Sequence, residues 1–311
     1  MARFALDGKS VFVAGHGGMV GKALVRRLQS EDCTILTAPR SVDLRNQVAV
    51  EEWFAANRPD AVILAAARVG GILANAERPA EFLFDNIAIA TTVIEAARRH
   101  GVAKLLFLGS SCIYPKITPQ PISEDALLTG ALEPTNEAYA IAKIAGLKLA
   151  AAYRSQHGCD YISAMPTNLY GPGDNWDAVS GHVVPALIRK AHEAKMSGSD
   201  SFTIWGTGTP RREFLHVDDL ADACAILLQG YSDIPPVNVG AGQDIAIADL
   251  AALIARIVGF EGEVRTDPSK PDGTPQKLLD SARLRSLGWQ PSITLEDGLS
   301  AAYAAFLQEA R

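Results

Sequence analysis

The sequence predicts an α/β protein, in which a doubly wound parallel sheet of the Rossmann type is joined to a smaller C-terminal α/β substrate-binding domain. Two observations carry this prediction. Close to the N-terminus, an apolar segment, a glycine-rich turn and an amphipathic segment follow one another over residues 10–28. Beyond them, apolar segments of strand length alternate with helical patterns as far as residue 173, which is typical of parallel sheets with helical crossovers.

The glycine-rich turn connects a strand predicted over residues 10–15 to a helix predicted over residues 22–28. Gly15, Gly18 and Gly21 recur at three-residue intervals, so the backbone can approach a pyrophosphate and the helix N-terminus points at it. A plain turn is the competing interpretation, but the position after the first strand favours a dinucleotide. The predicted cofactor-binding residues here are Gly15, His16, Gly17, Gly18, Met19, Val20 and Gly21.

The end of the second strand, predicted over residues 34–38, is where NAD-selective sites place an acidic residue on the ribose. Here the chain offers Arg40, which suits a 2′-phosphate, so NADP(H) is the predicted cofactor; a solvent-facing loop arginine is the alternative. Asp43 and Leu44 are also predicted to bind the cofactor. A helix over residues 47–57, a strand over 61–67, a loop over 68–79 and a helix over about 80–100 follow.

The central strand is predicted over residues 105–109 and is apolar on both faces, as in the middle of a parallel sheet. Because ligands bind beyond the carboxyl ends of such strands, the residues that follow point into a ligand cleft. Those residues are two hydroxyls and a thiol, Ser110, Ser111 and Cys112. Leu108, Gly109, Ser110 and Ser111 are predicted to line the cofactor.

Tyr139 and Lys143 stand one turn apart on a helix that Thr135 or Asn136 can cap. A nearby ammonium favours the phenolate, so we expect Lys143 to lower the pKa of Tyr139. Tyr139 can then exchange a proton with a substrate oxygen, and Ser110 supplies a second hydrogen bond to that oxygen. This spacing also occurs by chance on exposed helix faces, but combined with the glycine turn and Ser110 it indicates proton transfer at a carbonyl or alcohol.

The rest of the chain is predicted to alternate between two domains. A strand from residue 160 ends in a turn-rich segment near 173, and regular alternation fades over residues 174–209. From Arg211 the sequence predicts a strand and then the start of a helix, with Asp218 or Asp219 as its N-cap. These elements are expected to return the chain to the first domain. A strand over 236–240, a helix over 247–258, a polar loop over 268–275 and a helix over 294–307 complete the chain. The predicted domains are 1–170 with 214–240 for NADP(H), and 171–213 with 241–311 for substrate.

Cys112 and His182 each have a structural and a chemical interpretation. A free cysteine is most often a small buried filler, and a lone histidine is most often a hydrogen-bonded structural residue. However, a thiol and an imidazole in one cleft supply acid and base at carbons beside a ketone, which hydride transfer does not need. The pair therefore points to epimerisation.

The composition excludes several classes of function. The formal net charge is −6, and no basic stripe suggests nucleic-acid binding. No apolar stretch reaches the ~18 residues of a membrane span, and no secretory signal is recognisable, so a cytoplasmic location is expected. The four cysteines form no CxxC pair and no metal-ligand spacing, so neither disulfides nor a metal is expected.

Six segments together resemble the extended short-chain dehydrogenase/reductases, and within them the enzymes that epimerise and reduce GDP-4-keto-6-deoxy-D-mannose. They are residues 13–21, 106–115, 133–137, 166–172, 212–219 and 269–275. The resemblance implies a Ser110, Tyr139 and Lys143 reductase set and a Cys112 and His182 epimerase pair in one site. It implies Pro166, Thr167, Asn168 and Leu169 along the nicotinamide, with Lys143 and His182 also binding the cofactor. It places Lys190, Trp205, Arg212 and Asp272 on a GDP-sugar.

The implied reaction inverts C3 and C5 of the keto sugar and then reduces C4 with NADPH, giving GDP-L-fucose. The resemblance also implies a homodimer packed through the two helices beside the Ser110 strand. Gly17 departs from the family, which often has arginine there, and Lys190 replaces an arginine. Alternatives are an enzyme that epimerises only C5 of a 3-deoxy GDP-sugar, a UDP-hexose 4-epimerase that retains NAD, and a non-catalytic dinucleotide sensor.

Overall fold

The computed structural model describes residues 4–177, 181–270 and 272–309. Its strands are β1 (Lys9–Ala14), β2 (Cys33–Leu36), β3 (Ala61–Leu64), β4 (Lys104–Leu108), β5 (Asp160–Pro166), β6 (Asn168–Tyr170), β7 (Ser201–Trp205), β8 (Arg211–His216), β9 (Val237–Val239), β10 (Asp244–Ala246), β11 (Glu263–Asp267) and β12 (Gln276–Lys277). Its helices are α1 (Met19–Leu28), α2 (Gln47–Asn57), α3 (Ile72–Glu77), α4 (Pro79–Arg99), α5 (Glu137–His157), α6 (Val183–Ser197), α7 (Val217–Gly230), α8 (Ile247–Val258), α9 (Ala282–Ser286) and α10 (Leu295–Glu309).

The larger sheet has six parallel strands in the order β2-β1-β3-β4-β5-β9, so the predicted fold class is confirmed. Every residue of β3 and β4 is buried, because helices cover both faces. The strand order reverses between β1 and β3, which places a ligand crevice beyond their carboxyl ends. Helices α2, α4 and α5 contribute to the core on one face, and α1, α7 and α9 contribute to the core on the other.

The smaller part of the protein is built on two short sheets. One has the order β10-β8-β12 with β6 also paired to β8, and the other joins β7 to β11. A third core lies between α6, α8 and α10. The chain passes from β5 to β6 through the single residue Thr167, so the small sheet begins at the carboxyl edge of the large one. The second lobe therefore stands over the strand ends that carry the candidate site.

Several predicted element boundaries are wrong. The segment 68–79 is not all loop, because it contains α3, and β3 ends at Leu64, three residues earlier than predicted. Residues 174–209 are more regular than predicted, since they include the fifteen-residue α6 and the strand β7. The strand β8 belongs to the small sheet, and the return to the large sheet is made by α7, which packs on α1, and by β9.

The predicted cap of α7 is wrong, and that of α5 is confirmed in position only. Asn136 holds the N-cap position of α5 without a side-chain hydrogen bond, because a 3-10 turn over Pro134–Asn136 runs directly into that helix. The cap of α7 is His216, whose Nδ1 accepts from the backbone N–H of Asp218 at 3.3 Å. Asp219 is committed elsewhere, since its carboxylate accepts hydrogen bonds from Ser292 and Ile293. No helix in the described ranges is long and apolar enough to cross a membrane.

Candidate active site

The end of β4 is held tightly against its neighbour β5. Gly109 donates its N–H to the carbonyl of Ala164 at 2.9 Å, and a Cβ added to it would meet the Met165 sulfur at 2.3 Å. Ser110 is extended, and its hydroxyl oxygen accepts from the N–H of Cys112 at 3.4 Å. The chain then turns through a 3-10 segment, Ser111–Ile113, in which all three residues are buried. The predicted hydroxyls and thiol do follow the strand end.

Tyr139 and Lys143 reach the same strand end from α5. This helix packs closely on β4 because Gly146 leaves room for Phe107, whose ring lies 2.4 Å from where a Cβ would stand. The Lys143 Nζ lies 5.8 Å from the Tyr139 ring centroid and 5.1 Å from that of Phe107. The Tyr139 ring also meets Phe82 edge to face at 6.4 Å. The Tyr139 ring therefore lies between α4, which carries Phe82, and the Lys143 ammonium of its own helix.

The predicted effect on Tyr139 is wrong for the protein without ligands. Burial raises the pKa of Tyr139, and the negative charge of a Cys112 thiolate raises it further. Burial likewise lowers the pKa of Lys143 to about 8, an effect that Cys112 opposes. Tyr139 is therefore a protonated donor at neutral pH rather than a phenolate. The turn that holds Cys112 also packs against α5, so the thiol belongs to the same end of β4 as the phenol and the ammonium.

Cys112 is 6% exposed, and burial raises the pKa of its thiol. Three groups oppose burial and favour the thiolate, in the order Lys277, Ser110 and Lys143. Sequence analysis identified Ser110 and Lys143 as site residues, but it did not predict an effect of Lys277 on Cys112. The position of Lys277 depends on the pairing of the two-residue strand β12 with β8, which no local pattern announces.

His182 belongs to the other lobe, where it holds the N-cap position of α6. Its side chain is exposed, and partial desolvation by the surrounding protein lowers its pKa. In the described part of the chain, no hydrogen bond or ion pair joins His182 to Cys112. Its predicted role in the acid/base pair stays a prediction.

The glycine turn has the geometry of a pyrophosphate cradle. Gly15 has φ +94°, and a Cβ there would meet the Ala66 nitrogen at 2.6 Å. A Cβ at Gly21 would stand 2.0 Å from the Gly15 carbonyl oxygen, and Gly21 lies within α1, which begins three residues earlier than predicted. No side chain caps α1 at Gly18, so the N–H groups of its first turn point into this space. These residues fit a dinucleotide phosphate.

The ribose end of the cleft is lined by charged residues from the β2 loop. Arg40 is exposed and forms no ion pair among residues 4–177, 181–270 and 272–309. Asp43 is engaged by Arg45 through two close contacts of 2.8 and 2.9 Å, which lower the pKa of its carboxyl group. Leu44 accepts a hydrogen bond at its carbonyl from Thr92. Arg40 is thus the cation left available to a phosphate here.

The segment from Pro166 to Leu169 connects the two lobes at the edge of the cleft. The hydroxyl of Thr167 and the amide of Asn168 both donate to the Glu213 carbonyl, at 3.2 and 2.8 Å. The backbone of Thr167 also donates to Val239 at 3.0 Å. These three hydrogen bonds tie the crossing segment to β8 and β9, at the edge where the nicotinamide contacts are predicted.

The four predicted substrate residues stand on the small sheets and their loops. Trp205 is 47% exposed, and Lys190 and Lys270 hold their ammonium groups 5.6 and 5.9 Å from its ring. The Asp272 carboxylate accepts from the backbone and hydroxyl of Thr207, next to Trp205. Arg212 is desolvated, which lowers its pKa, and it interacts with the charges of Glu133 and Asp272. Sequence reasoning missed Lys270, which adjoins the predicted loop residue Asp272.

The model of the NAD dependent epimerase/dehydratase family matches residues 11–240. The chain belongs to this family. GDP-L-fucose synthase 1 of Arabidopsis thaliana is 58% identical over 96% of this chain and 93% of its own length. GDP-L-fucose synthase of Sinorhizobium fredii is 56% identical over 99% of this chain and 98% of its own length. The resemblance found in the sequence is therefore confirmed.

A solved structure is also similar to this chain over nearly its whole length. The GDP-L-fucose synthetase from Naegleria fowleri bound to NADP has a TM-score of 0.91 against this chain and 28% identity. The match covers 99% of this chain and 96% of that one. Both lobes are thus shared, including the small sheets that carry the predicted substrate residues.

Proposed function

We propose that this protein converts GDP-4-keto-6-deoxy-D-mannose into GDP-L-fucose, by epimerisation at C3 and C5 followed by reduction at C4. The observation that carries the proposal is that the turn holding Cys112 packs against α5, the helix that carries Tyr139 and Lys143, and that Tyr139 packs on the core cluster that contains Cys112. A ketoreductase needs only the tyrosine and lysine, so a thiol beside them adds proton chemistry at carbon. Relatives named GDP-L-fucose synthase, 58% and 56% identical over nearly the whole chain, support this assignment.

Epimerisation uses the acidity of carbons beside the ketone. The Cys112 thiolate removes a proton from C3 or C5, so that the C–H bond breaks, an S–H bond forms and the electron pair moves onto the carbonyl oxygen. The hydroxyls of Ser110 and Tyr139 donate hydrogen bonds to that oxygen as its charge develops. His182, on the opposite lobe, returns a proton from the other face, which inverts the carbon.

Reduction uses the same two hydroxyls. When bound, NADPH supplies the hydride to C4. Tyr139 gives its proton to the oxygen, which suits a phenol that burial keeps protonated. Lys143 faces Tyr139 and offsets the negative charge left on it. Ser110 keeps the oxygen within reach of Tyr139 through both steps.

The cofactor proposal rests on the crevice at the switch between β1 and β3. The first-turn amides of α1 bind the pyrophosphate and Arg40 pairs with the 2′-phosphate. The NADP-bound relative from Naegleria fowleri supports the choice of NADP(H). The remaining proposed contacts are His16, Gly17, Met19, Val20, Asp43, Leu44, Leu108, Gly109, Ser111, Pro166, Thr167, Asn168 and Leu169.

The GDP moiety is proposed to lie on the second lobe. An exposed indole flanked by two ammonium groups suits guanine and its diphosphate, since it combines a stacking face with positive charge. We therefore assign Lys190, Trp205, Arg212 and Asp272 to the nucleotide-sugar. The proposed domains are residues 1–170 with 214–240 for cofactor, and 171–213 with 241–311 for substrate.

The homodimer is proposed to form through α4 and α5, which pack on each other beside β4. Phe84 on α4 is 69% exposed and Ile141 on α5 is 43% exposed, so this pair of helices presents apolar surface to a partner. Small residues on α5, such as Ala145, permit close approach of another helix. A monomeric mass by light scattering at micromolar concentration would refute the dimer.

The activity is tested by incubating the protein with GDP-4-keto-6-deoxy-D-mannose and NADPH in deuterated water. We expect the cofactor absorbance to fall and the product to carry deuterium at both C3 and C5. If the ketone is reduced but neither carbon carries deuterium, the protein is a ketoreductase without epimerase activity. Deuterium at C5 alone would indicate the related enzymes that act on 3-deoxy sugars.

A further inference from the structure

Asp85 is a buried carboxylate of α4 that binds two arginines at the same time. The residue is 7% exposed, its Oδ1 accepts from Arg45 at 2.9 Å, and its Oδ2 accepts from Arg68 at 2.8 Å. The hydrogen bond from Arg68, and less strongly that from Arg45, lower the pKa of the Asp85 carboxyl against the opposing effect of burial. The carboxylate therefore stays ionised at neutral pH and holds one guanidinium group with each oxygen.

Arg45 connects Asp85 to the loop after β2, which is the predicted ribose end of the cofactor site. Its Nε and Nη2 donate to the two oxygens of Asp43 at 2.9 and 2.8 Å, while its Nη1 donates to Asp85. Thr92, two turns further along α4, donates to the Leu44 carbonyl. All three nitrogens of the Arg45 guanidinium thus bind carboxylates, and α4 holds the loop after β2 at two points.

Arg68 connects the same carboxylate to the loop after β3. Its backbone N–H donates to the side-chain oxygen of Asn86 at 2.9 Å, and its carbonyl accepts from the Asn86 amide at 3.0 Å. Two residues earlier, the Ala66 backbone lies against Gly15, where an added Cβ would stand 2.6 Å from the Ala66 nitrogen. This loop is therefore held by α4 on one side and packs against the phosphate turn on the other.

The burial of Asp85 decides how strongly it connects the two loops, because ion pairs between exposed side chains contribute little. The side chains of Arg45 and Arg68 are 46% and 34% exposed, but that of Asp85 is only 10% exposed. If Asp85 were neutral, both guanidinium groups would lose their anionic partner in a place that water reaches poorly. We therefore expect the two loops to lose their common anchor when this one charge is removed.

We propose that Asp85 is a positioning residue for NADP(H), which holds the loop after β2 and the loop after β3 in the arrangement that receives the adenosine end of the cofactor. It acts through Arg45 and does not itself contact the cofactor. This proposal rests on the cofactor site proposed above and adds a residue to it. Its consequence is specific, because a loss of Asp85 weakens the adenosine end of the site and leaves the second lobe unaffected.

The test compares Asp85→Asn with wild type by isothermal titration calorimetry. The ligands are adenosine 2′,5′-bisphosphate, which is the adenosine end of NADP(H), and GDP, which is proposed to bind the second lobe. Asparagine keeps the shape of the side chain but has one acceptor oxygen, and its amide donor faces an arginine. We expect the dissociation constant of adenosine 2′,5′-bisphosphate to rise about tenfold, as for the loss of a hydrogen bond to a charged group, and that of GDP to stay the same.

Arg45→Gln tests the same connection at an exposed position, where the substitution does not endanger folding. It should also weaken the binding of adenosine 2′,5′-bisphosphate. Because Asp85 acts through Arg45, the loss in the double variant should be smaller than the product of the two single losses. Losses that multiply fully, or unchanged binding in Arg45→Gln, would overturn the proposal.

The matched control is Asp160→Asn. Asp160 also accepts from two cations, Lys104 at 2.8 Å and Arg154 at 2.5 Å, but it begins β5 and so lies at the amino end of the large sheet, away from the cofactor crevice. It should lower the urea midpoint without weakening either ligand.

The proposal fails if Asp85→Asn binds adenosine 2′,5′-bisphosphate as wild type does, or if it weakens GDP equally. It also fails if Asp160→Asn weakens adenosine 2′,5′-bisphosphate to the same extent, since the effect would then be a general loss of stability. Binding of the two ligands by the wild-type protein tests the proposed cofactor and substrate sites themselves. A failure of those sites is thereby distinguishable from a failure of the role given to Asp85.

Discussion

Lys143 donates a hydrogen bond of 2.8 Å from its ammonium to the carbonyl oxygen of Leu108, the last residue of β4. The lysine therefore ties α5 to the strand that leads into Ser110, in addition to facing Tyr139. Its charge is buried, which lowers its pKa to about 8. The site holds an ammonium at a thermodynamic cost, and that cost depends on pH.

The first prediction concerns the free energy of unfolding of Lys143→Met. The folded-state pKa of Lys143, about 8, lies below its usual 10.5. Below pH 8, Lys143 is protonated in both the folded and the unfolded protein, so the folded state bears the full free-energy cost of burying the ammonium. Between these values the folded lysine is neutral while the unfolded one is charged, so stability rises with pH. We expect wild type to gain roughly 3 kcal/mol relative to Lys143→Met across this window.

Urea denaturation of both proteins at several pH values measures this difference. The variant also loses the bond to the Leu108 carbonyl, but that loss is the same at every pH and does not enter the slope. A difference that stays flat as the pH rises would show that Lys143 is not buried as an ammonium. If the stability of wild type relative to Lys143→Met falls as the pH rises, the folded state raises the pKa of Lys143 instead of lowering it.

The second prediction concerns Gly21 in the phosphate turn. A Cβ there would meet backbone atoms at 2.0 and 2.5 Å, the Gly15 oxygen and the His16 Cα, and backbone yields less readily than a flexible side chain. We expect Gly21→Ala to destabilise the protein by about 3 kcal/mol and to weaken NADPH binding. Gly17→Ala is the control, since its Cβ would have no atom within 4 Å. Equal urea midpoints for the two variants would contradict the packing argument.

The sequence predicted the fold well where local pattern determines structure. The buried strands β3 and β4, the helices α2 and α8 and the glycine turn each have an apolar period or a glycine requirement that is readable without neighbours. The predicted side-chain cap of α7 failed because a capping group can have a competing partner. Asp219, a reasonable cap by its position, instead binds the backbone of residues 292 and 293 from a distant loop.

Electrostatic predictions failed for a related reason. The expectation of a lowered Tyr139 pKa considered one helical neighbour, Lys143, and omitted burial and the thiol, both of which act in the opposite direction. Lys277 was missed because a strand of two residues has no period, and its electrostatic effect on Cys112 depends on tertiary pairing with β8. Desolvation and long-range pairing are properties of the assembled cleft, so a linear pattern does not contain them.

The third prediction concerns cofactor preference. Arg40→Ala should lower kcat/KM for NADPH about tenfold to a hundredfold, as expected for charge-assisted hydrogen bonds to a phosphate, and leave NADH nearly unchanged. Gly17→Arg should raise kcat/KM for NADPH up to about tenfold, because its side chain enters open space beside the turn and adds a cation. Steady-state rates with both cofactors measure the two effects. Equal losses for NADPH and NADH in Arg40→Ala would contradict a phosphate contact.

The last prediction is that reduction and epimerisation can be separated by mutation, although they share one cleft. Tyr139→Phe removes the proton donor and should slow reduction about 10²- to 10⁴-fold. It should leave exchange of the C3 and C5 hydrogens with deuterated water largely intact, because Ser110 still polarises the ketone. Cys112→Ser should suppress exchange by a similar factor, since a hydroxyl is a far weaker base than a thiolate near neutral pH.

His182→Asn distinguishes the two halves of the acid/base pair. An amide keeps hydrogen-bonding capacity but transfers no proton, so we expect the first deprotonation to persist and inversion at carbon to fail. Mass spectrometry of the recovered substrate reports the exchange, and NMR of the product reports the configuration. If Cys112→Ser exchanges deuterium at the wild-type rate and His182→Asn still inverts C3 and C5, the thiol at the end of β4 is only a buried filler and the acid/base assignment fails.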